Sequence, residues 1–221
     1  MSKNKVEILG FYGGDEVIAC SAWTSTSRDL SKEKKERIPK LLNDLWNNGH
    51  ETPFEKGIVH FLVDTDIATH IHLLKHRISS LNAESARYKE LKEDKFLIPE
   101  DWGEHTETDM DTLNRYNAYN WATMLEVKSI EMNNLYHKCL ESLTPVLGRK
   151  RAKESARYFK MYNSQIQSDV SFNMRSFANF LKLRNNEHSQ LEIRGVAAEM
   201  LRLVQNIEGN PFEYTLKALG Y

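Results

Sequence analysis

One long helical pattern constrains this chain most, because it assigns a large continuous share of the sequence to helix. Between Asp109 and Leu143 the sequence has neither proline nor glycine. Apolar side chains recur throughout the segment and include Leu113, Tyr116, Leu125, Ile130, Leu135 and Leu143. Pro145 and Gly148 follow, and we expect them to break the helix. A chain with such a segment is dominated by helices.

Shorter patterns complete the predicted fold. Strands are predicted at KVEILGFYG, at IVHFLVDT, which is rich in β-branched and aromatic residues, and at YNSQIQSDVSFN. Further helices are predicted at KEKKERIPKLLNDLWNNG, IATHIHLLKHRISSL, RKRAKESARYFK, NMRSFANFLKLR, HSQLEIRGVAAEMLRLVQNI and PFEYTLKAL. We therefore expect an α+β fold, rich in helix, in which a small antiparallel or mixed sheet belongs to a single domain over residues 1–221.

Local signals set the expected ends of several elements. Ser31 is an N-cap candidate for the first long helix, Gly49 is its stop, and Pro39 inside it predicts a break. Asp66 can cap the helix that follows the second strand. The polar residues 82–88 predict irregular structure.

Composition excludes several classes of protein. The 221 residues carry 30 Lys plus Arg against 31 Asp plus Glu, so the net charge is −1, unlike a strongly basic nucleic-acid coat protein. No apolar run approaches the roughly 20 residues of a membrane helix, and the first residues lack a signal-peptide pattern. Cys20 and Cys139 are too few for a disulfide framework, so we expect a reducing cytoplasm. A local cationic site for a small anion stays open.

The segment KHRISSLNAESARY, Lys75 to Tyr88, is the most unusual cluster. Arginine presents a planar fork of donors that matches a phosphate, and serine hydroxyls with turn amides can complete an anion site. The residues alone are equally compatible with a solvated helix end whose cations suit the helix dipole.

Two further clusters carry polar groups at helical or turn spacing. In SFNMRSFANFLKLRNNEH, Arg175, Asn179 and Leu183 share one helical face, and Arg184 and His188 form a second pair if the helix extends that far. The segment HETPFE, His50 to Glu55, either grips a polar ligand or forms a capped turn.

Metal binding and nucleophilic catalysis are weaker hypotheses. His72 and His76 are four residues apart on the predicted helix, as two zinc ligands often are, but there is no HExxH motif and no cysteine pair at ligand spacing. Ser85 lacks the surroundings of a nucleophile elbow, and neither cysteine has a local catalytic signature. We therefore predict no metal site.

Taken together, these segments resemble the flavin-dependent thymidylate synthases. The signature of that family is RHR, then seven residues, then Ser, and here Lys75-His76-Arg77 precedes Ser85 at that spacing. HETPFE lies upstream, and ARYF and NMRSFANFLKLRNNEH lie downstream, in the order of the family. The similarity therefore runs from about residue 50 to residue 194.

The resemblance implies a homotetramer of an α/β fold with FAD bound between subunits. Such enzymes convert dUMP to dTMP, take the carbon from 5,10-methylenetetrahydrofolate, and use NADPH as the usual reductant. The reduced flavin supplies the hydride, and no cysteine attacks the pyrimidine. The implied partners are dUMP, the folate and further copies of this chain, with no nucleic acid and no membrane.

The resemblance also assigns residues to each ligand. The positions that match flavin contacts are His50, Thr52, Glu55, His76, Arg77, Ile78, Asn173, Arg175, Asn179, Leu183 and His188. The positions that match dUMP contacts are His72, Lys75, Ala83, Glu84, Ser85, Arg87, Arg157 and Arg184. Arg184 is the implied catalytic residue, because a guanidinium at a pyrimidine carbonyl stabilises charge that develops on the ring. We expect it to converge with Arg87 and Arg157 on one phosphorylated pyrimidine.

Four positions depart from the pattern of the family. Lys75 replaces the first signature arginine, which keeps the charge but loses the bidentate fork. His72 stands at the family's glutamine, and Met161 replaces a proline. Where many members have Asn-Glu before the serine of the motif, this chain has Asn82-Ala83-Glu84. These changes motivate two alternatives, a relative that methylates or hydroxymethylates another nucleotide such as UMP, and a flavin or nucleotide binder without activity. The basic segment RKRAKESAR motivates a third, a nucleic-acid-binding module.

Overall fold

A computed structural model describes residues 3–85, 87–91, 93–102, 110–115 and 120–221. The strands are β1 (Lys5–Tyr12), β2 (Ile58–Asp66), β3 (Ser80–Ala83) and β4 (Gln165–Asn173). The helices are α1 (Asp15–Ala22), α2 (Lys32–Asn47), α3 (Ile67–Leu74), α4 (Met110–Arg115), α5 (Trp121–Ala156), α6 (Met174–Arg184), α7 (Leu191–Gln205) and α8 (Glu213–Ala218). The expected helix-rich α+β class is confirmed.

The strands form one antiparallel sheet in the order β1-β2-β4-β3. Its register is visible at both ends of the β2–β4 pair, where the Ile67 amide donates to the Ser164 carbonyl at 3.1 Å and the Met174 amide donates to the Gly57 carbonyl at 2.9 Å. Along β2, Val59, Phe61 and Val63 are buried while the residues between them are half-buried. This period of two gives β2 one buried apolar face, and it confirms the strand predicted there.

The chain divides into two compact units, which we describe separately. Unit 1 comprises residues 3–4, Asp64–Leu73 and Ala83–Ser168, and unit 2 comprises Lys5–Val63, Leu74–Asn82 and Asp169–Tyr221. The core of unit 1 includes Tyr136, Leu140, Ala152 and Ala156. Unit 2 has a core rich in phenylalanine, with Phe54, Phe61, Phe172, Phe177, Phe180 and Phe212 almost fully buried. The expectation of a single domain stays a prediction.

Two capping predictions, at Ser31 and at Asp66, are confirmed, and the structure shows a third cap that was not predicted. The Ser31 hydroxyl accepts from the Lys34 amide at 3.4 Å at the start of α2, and the Asp66 carboxylate accepts from the Thr69 amide at 2.9 Å at the start of α3. Asn173 caps α6 by accepting from the Ser176 amide at 2.8 Å. Each side-chain oxygen satisfies an amide that has no partner inside its helix.

Several helix boundaries were predicted wrongly. The predicted break at Pro39 is absent, because α2 continues through it and buries Ile38 and Leu42 on either side. The predicted helix over 67–81 ends at Leu74, and β3 takes up part of the segment expected to be irregular. The helix α1 was not predicted at all.

The long central pattern is also divided differently from the prediction. Among the described residues, α5 begins only at Trp121, because Asn120 adopts an extended backbone and its side chain caps the helix through the Thr123 amide at 2.9 Å. Pro145 lies inside α5, and the expected break falls at Gly148 alone, where φ is 75°. Glycine tolerates this left-handed backbone. The predicted helix start at Asp109 and the apolar position Tyr116 lie outside the described residues.

The described helices were also compared with what a membrane span requires. None of them combines the length and the apolar character needed to cross a bilayer.

Candidate functional site

The helix α6 presents two different faces. Met174, Phe177, Phe180 and Leu181 are buried, and the rings of Phe172 and Phe180 stack with centroids 5.1 Å apart. The opposite face carries Arg175, Asn179, Lys182, Leu183 and Arg184, none of which is buried. Since the aromatic face anchors α6 in the core of unit 2, the polar face is held at the surface in a fixed orientation.

A cleft of about 580 Å³ follows this polar face within unit 2. We call it the α6 cleft. It is lined by Trp46, Glu51, Glu55, Lys75, His76, Arg77, Ile78, Arg175, Ser176, Ala178, Asn179, Lys182, Leu183 and Arg184. The predicted shared face of Arg175, Asn179 and Leu183 is therefore confirmed, and the beginning of the signature motif lies at the same cleft. Its volume is that of a typical site for a small-molecule ligand.

Arg175 fixes one wall of the cleft. Its Nε donates to the Glu51 carboxylate at 2.7 Å, and its Nη1 donates to the Glu55 carboxylate at 2.8 Å. These hydrogen bonds, with Glu55 the stronger partner, raise the pKa of Arg175. The two contacts tie the 3₁₀ turn Thr52–Lys56 to the first turn of α6.

Arg184 and His76 form a second pair at the cleft. The Nε of Arg184 donates to Nε2 of His76 at 3.0 Å. The His76 ring also stands edge-on to Phe180, with centroids 4.9 Å apart and an interplanar angle of 80°. The implied catalytic arginine and a signature histidine are thus in direct contact.

Apolar side chains are exposed at the same cleft. Ile78 is 75% exposed and Leu183 is 49% exposed, although both are large and aliphatic. Trp46 and Ala178 add further carbon surface to the lining. Exposed apolar groups beside donors are typical of sites that hold a flat ring with a polar edge.

The charge of the cleft is strongly asymmetric. Lys75, Arg77, Arg175, Lys182 and Arg184 supply five positive side chains, whereas Glu51 and Glu55 are the two carboxylates of the described lining. Both carboxylates are already engaged by Arg175. The remaining cations favour an anionic ligand, and a dinucleotide with a diphosphate and a flat ring system fits this donor set.

Four of the predicted flavin contacts lie outside the described lining. Asn173 is occupied as the N-cap of α6. The helix ends at Arg184, so the condition on which an Arg184–His188 pair was expected is not met, and His188 is exposed in the following turn. His50 and Thr52 are exposed beside the 3₁₀ turn. Their contact with a flavin stays a prediction.

Two predicted nucleotide residues of unit 1, Arg87 and Arg157, lie near the end of α5. Arg87 donates from Nε to Glu154 at 2.7 Å, and Arg157 lies three residues beyond Glu154 and is exposed. Ser85 opens the turn that carries Arg87, since its carbonyl accepts from the Tyr88 amide at 3.0 Å. Hydrogen bonding to Glu154 raises the pKa of Arg87. Two of the three expected arginines are therefore presented by neighbouring elements of unit 1.

The residues that depart from the family pattern lie in different parts of the structure. Lys75 lines the α6 cleft. Ala83 ends β3, and the Glu84 carboxylate accepts from the Gln167 amide at 3.1 Å and pairs with Lys89. His72 lies in α3, where its Nδ1 is buried without a hydrogen-bond partner among the described residues.

Sequence reasoning missed some residues of the cleft. Glu51 directly follows His50 in the HETPFE motif, so its position was a usable signal. Lys182 lies three residues after Asn179 and shares its face of α6. Trp46 belongs to α2 and carried no local signal, because only the packing of unit 2 brings it to the cleft.

A family model identifies the class of protein. The model described as "Thymidylate synthase complementing protein" matches residues 7–208. The chain therefore belongs to the flavin-dependent thymidylate synthase family, as its signature motifs predict.

Individual relatives agree with this assignment. A flavin-dependent thymidylate synthase of Pseudothermotoga lettingae is 31% identical over 207 residues, which cover 94% of this chain and 87% of the relative. One from Thermosipho melanesiensis is also 31% identical, over 98% of this chain and 92% of the relative. Among solved structures, the UMP/dUMP methylase PolB from Streptomyces cacaoi, bound with 5-Br dUMP, matches with a TM-score of 0.74. It is 23% identical, and the match covers all of this chain and 96% of that one, so it shows a shared fold.

Proposed function

We propose that this protein is an FAD-dependent thymidylate synthase. The reaction is the reductive methylation of dUMP to dTMP, with 5,10-methylenetetrahydrofolate as carbon donor and NADPH as reductant. The observation that carries the proposal is the α6 cleft, where the signature residues His76 and Arg77 line the same surface as Arg175, Asn179 and Arg184. This surplus of donors beside exposed apolar side chains suits FAD.

In this proposal, different residues of the cleft bind different parts of FAD. Lys75, Arg77 and Lys182 are cations that can neutralise a diphosphate. Ile78 and Leu183 offer carbon surface to a flat ring, and Asn179 offers both a donor and an acceptor for its polar edge. Arg175 keeps the wall rigid through Glu51 and Glu55. When bound and reduced, the flavin supplies a hydride.

Arginines supply the proposed contacts with dUMP. Arg87 and Arg157 bind the phosphate together with the hydroxyl of Ser85. Arg184 binds a carbonyl of the pyrimidine, where its charge stabilises an electron-rich ring during the reaction. Its Nε is already used by His76, so the two terminal nitrogens remain for the nucleotide.

The proposed chemistry requires no cysteine nucleophile. Neither Cys20 nor Cys139 belongs to the described lining of the α6 cleft. We also propose that the working unit is a homotetramer in the cytoplasm. Large apolar side chains exposed on α5, such as Ile130 at 49% and Val146 at 78%, support self-association.

A second candidate is methylation of UMP. One solved structure with the same fold is described as a UMP/dUMP methylase, and Lys75, His72 and Ala83 depart from the pattern of the thymidylate synthases. In this variant of the proposal the same cleft and arginines operate on a ribonucleotide.

Steady-state turnover with each nucleotide tests both candidates. The FAD-loaded protein is incubated with NADPH, the folate and either dUMP or UMP, and the methylated product is separated by chromatography. We expect formation of dTMP that stops when NADPH or the folate is omitted. A clear preference for UMP would replace the first candidate by the second. Oxidation of NADPH without either product would indicate a flavin binder without synthase activity.

A further inference from the structure

The guanidinium of Arg184 is held through its Nε–H by a hydrogen bond to His76. It lies in the last turn of α6, where a long side chain has many rotamers, yet its Nε donates to Nε2 of His76 at 3.0 Å. A guanidinium has five N–H donors in a fixed plane. With the Nε–H bound to His76, that edge of the group has a fixed partner, and the contact uses neither terminal nitrogen.

His76 is itself fixed from two sides. Its ring meets the face of Phe180 edge-on at 4.9 Å, and Phe180 is fully buried. The backbone carbonyl of His76 accepts from the Ser79 hydroxyl at 2.6 Å. Phe180 and Arg184 are one turn apart on α6, so one helix supplies both the aromatic contact of the ring and its hydrogen-bond donor.

The chemistry of the pair defines the direction of the hydrogen bond. A guanidinium is always protonated and has no acceptor, so Nε2 of His76 accepts through its lone pair and the ring proton lies on Nδ1. The nitrogen that bonds Arg184 is therefore taken by that contact.

We propose that His76 is a positioning residue for Arg184, and that it tightens nucleotide binding by holding the guanidinium in the plane that the pyrimidine requires. This role goes beyond the expected flavin contact of His76. It rests on the proposed function, because it takes Arg184 to be the pyrimidine contact.

A double-mutant cycle on the FAD-loaded protein tests this role. The variants are His76→Phe, which keeps an aromatic ring against Phe180 but has no acceptor, His76→Gln, whose side-chain carbonyl can accept, Arg184→Ala, and the His76→Phe and Arg184→Ala pair. The dissociation constant of dUMP is measured by titration calorimetry, and the flavin content of every sample is measured by absorbance.

We expect His76→Phe to weaken dUMP binding about tenfold, as befits the loss of one charge-assisted hydrogen bond. His76→Gln should restore affinity to within about threefold of the unmodified protein, and His76→Phe should have little further effect once Arg184 is alanine. The proposal would be overturned if the fold-increase in the dUMP dissociation constant of the double variant equalled the product of the two single-variant increases. So would a His76→Gln variant as weak as His76→Phe, or loss of FAD as the main defect of both.

His60→Leu is the matched control, because His60 is a half-buried histidine of unit 2 that pairs with Asp169 at 2.7 Å outside the cleft. It should leave dUMP affinity unchanged. If His76→Phe does not fold, His76→Leu replaces it in the cycle. The cycle measures binding alone, so normal binding without dTMP formation contradicts the proposed function but not this role. If the unmodified protein binds neither dUMP nor UMP, both proposals are wrong.

Discussion

The two units each contain a polar recess, and the two recesses differ in size and in charge balance. The α6 cleft of unit 2 has a volume of about 580 Å³ and carries five cations against two carboxylates. The recess of unit 1, which we call the Lys160 pocket, has a volume of about 150 Å³. Its charged residues are three lysines and four carboxylates, namely Lys89, Lys95, Lys160, Asp64, Glu84, Glu93 and Asp94.

In the Lys160 pocket, the buried cation Lys160 already has partners within the protein. The side chain of Lys160 is only 4% exposed, and its ammonium donates to Asp94 at 2.8 Å and to Asn133 at 2.7 Å. It also lies 4.4 Å from the centroid of the Tyr136 ring. Burial lowers the pKa of Lys160 despite its pairing with Asp94. Burial works to raise the pKa of Asp94, but hydrogen bonds from Lys160 and His137 outweigh it and leave that pKa below its ordinary value.

The comparison shows why one recess suits a ligand and the other suits the fold. A cation whose partners are all in the protein stabilises the structure and leaves nothing for an anion. In the α6 cleft the carboxylates are used by Arg175, and the surplus cations are left for a ligand. Substitutions in the cleft should therefore change binding and turnover, whereas substitutions in the Lys160 pocket should change stability.

The largest effect is expected at Arg184. Arg184→Ala should reduce kcat/KM for dUMP by about two to three orders of magnitude, as does the loss of one donor that stabilises developing charge. Its flavin should stay bound, which the absorbance spectrum of the purified variant will show. Arg202→Ala on α7, which removes an arginine paired with Glu199 on the surface of unit 2, is the control. A colourless Arg184→Ala protein would mean that Arg184 serves the flavin instead.

In the Lys160 pocket, we expect a substitution to change stability and to leave flavin binding unchanged. Lys160→Met should lower the free energy of unfolding by about 2 kcal/mol, because Asp94 and Asn133 lose a buried hydrogen-bonding partner. Urea unfolding followed by circular dichroism measures this change, while flavin content should stay that of the unmodified protein. Unchanged stability together with lost flavin would reverse the roles given to the two recesses.

Arg175 and Asn179 separate flavin binding from nucleotide binding. Arg175→Ala should weaken FAD about tenfold by releasing Glu51 and Glu55 as well as removing a cation, and Asn179→Ala should weaken it about threefold. Fluorescence of FAD released on dilution reports both values. If FAD affinity is unchanged in both variants, the flavin does not occupy this face of α6.

The smallest expected effect is a loss of folding stability at acid pH, and it depends on Asp94. Because the pKa of Asp94 in the folded protein lies below the ordinary value of 3.8, its ionised form stabilises the fold above that value, and this contribution is lost as the pH falls through the folded pKa. We expect this contribution to the free energy of unfolding to be no more than about 1 kcal/mol, because the Asp94 side chain is 37% exposed to water, which screens its charge. Asp94→Asn should flatten this part of the stability curve measured by urea unfolding between pH 5 and pH 3. An equally steep acid loss in Asp94→Asn would assign it to other carboxylates.

Local patterns predicted the parts of the site that lie on one element. The shared face of Arg175, Asn179 and Leu183 follows from helical periodicity, which the sequence carries directly. The β-branched and aromatic residues of IVHFLVDT predicted the strand β2 in the same way.

Other features depend on contacts between distant segments, which no local pattern encodes. The pairing of Arg184 with His76 joins residues 108 positions apart, and Trp46 reaches the cleft only through the packing of unit 2. The end of α3 at Leu74 was also missed, because the apolar periodicity continues to Ile78 although that side chain is 75% exposed at the cleft.

The central claim is that the α6 cleft belongs to a flavin enzyme that accepts electrons from NADPH. The most direct test is the absorbance spectrum of the purified protein after incubation with FAD and removal of the free cofactor, recorded before and after anaerobic addition of NADPH. We predict flavin bands that bleach on reduction and return when dUMP and the folate are added, as dTMP forms. A protein that retains no FAD, or whose flavin NADPH does not reduce, would contradict the account.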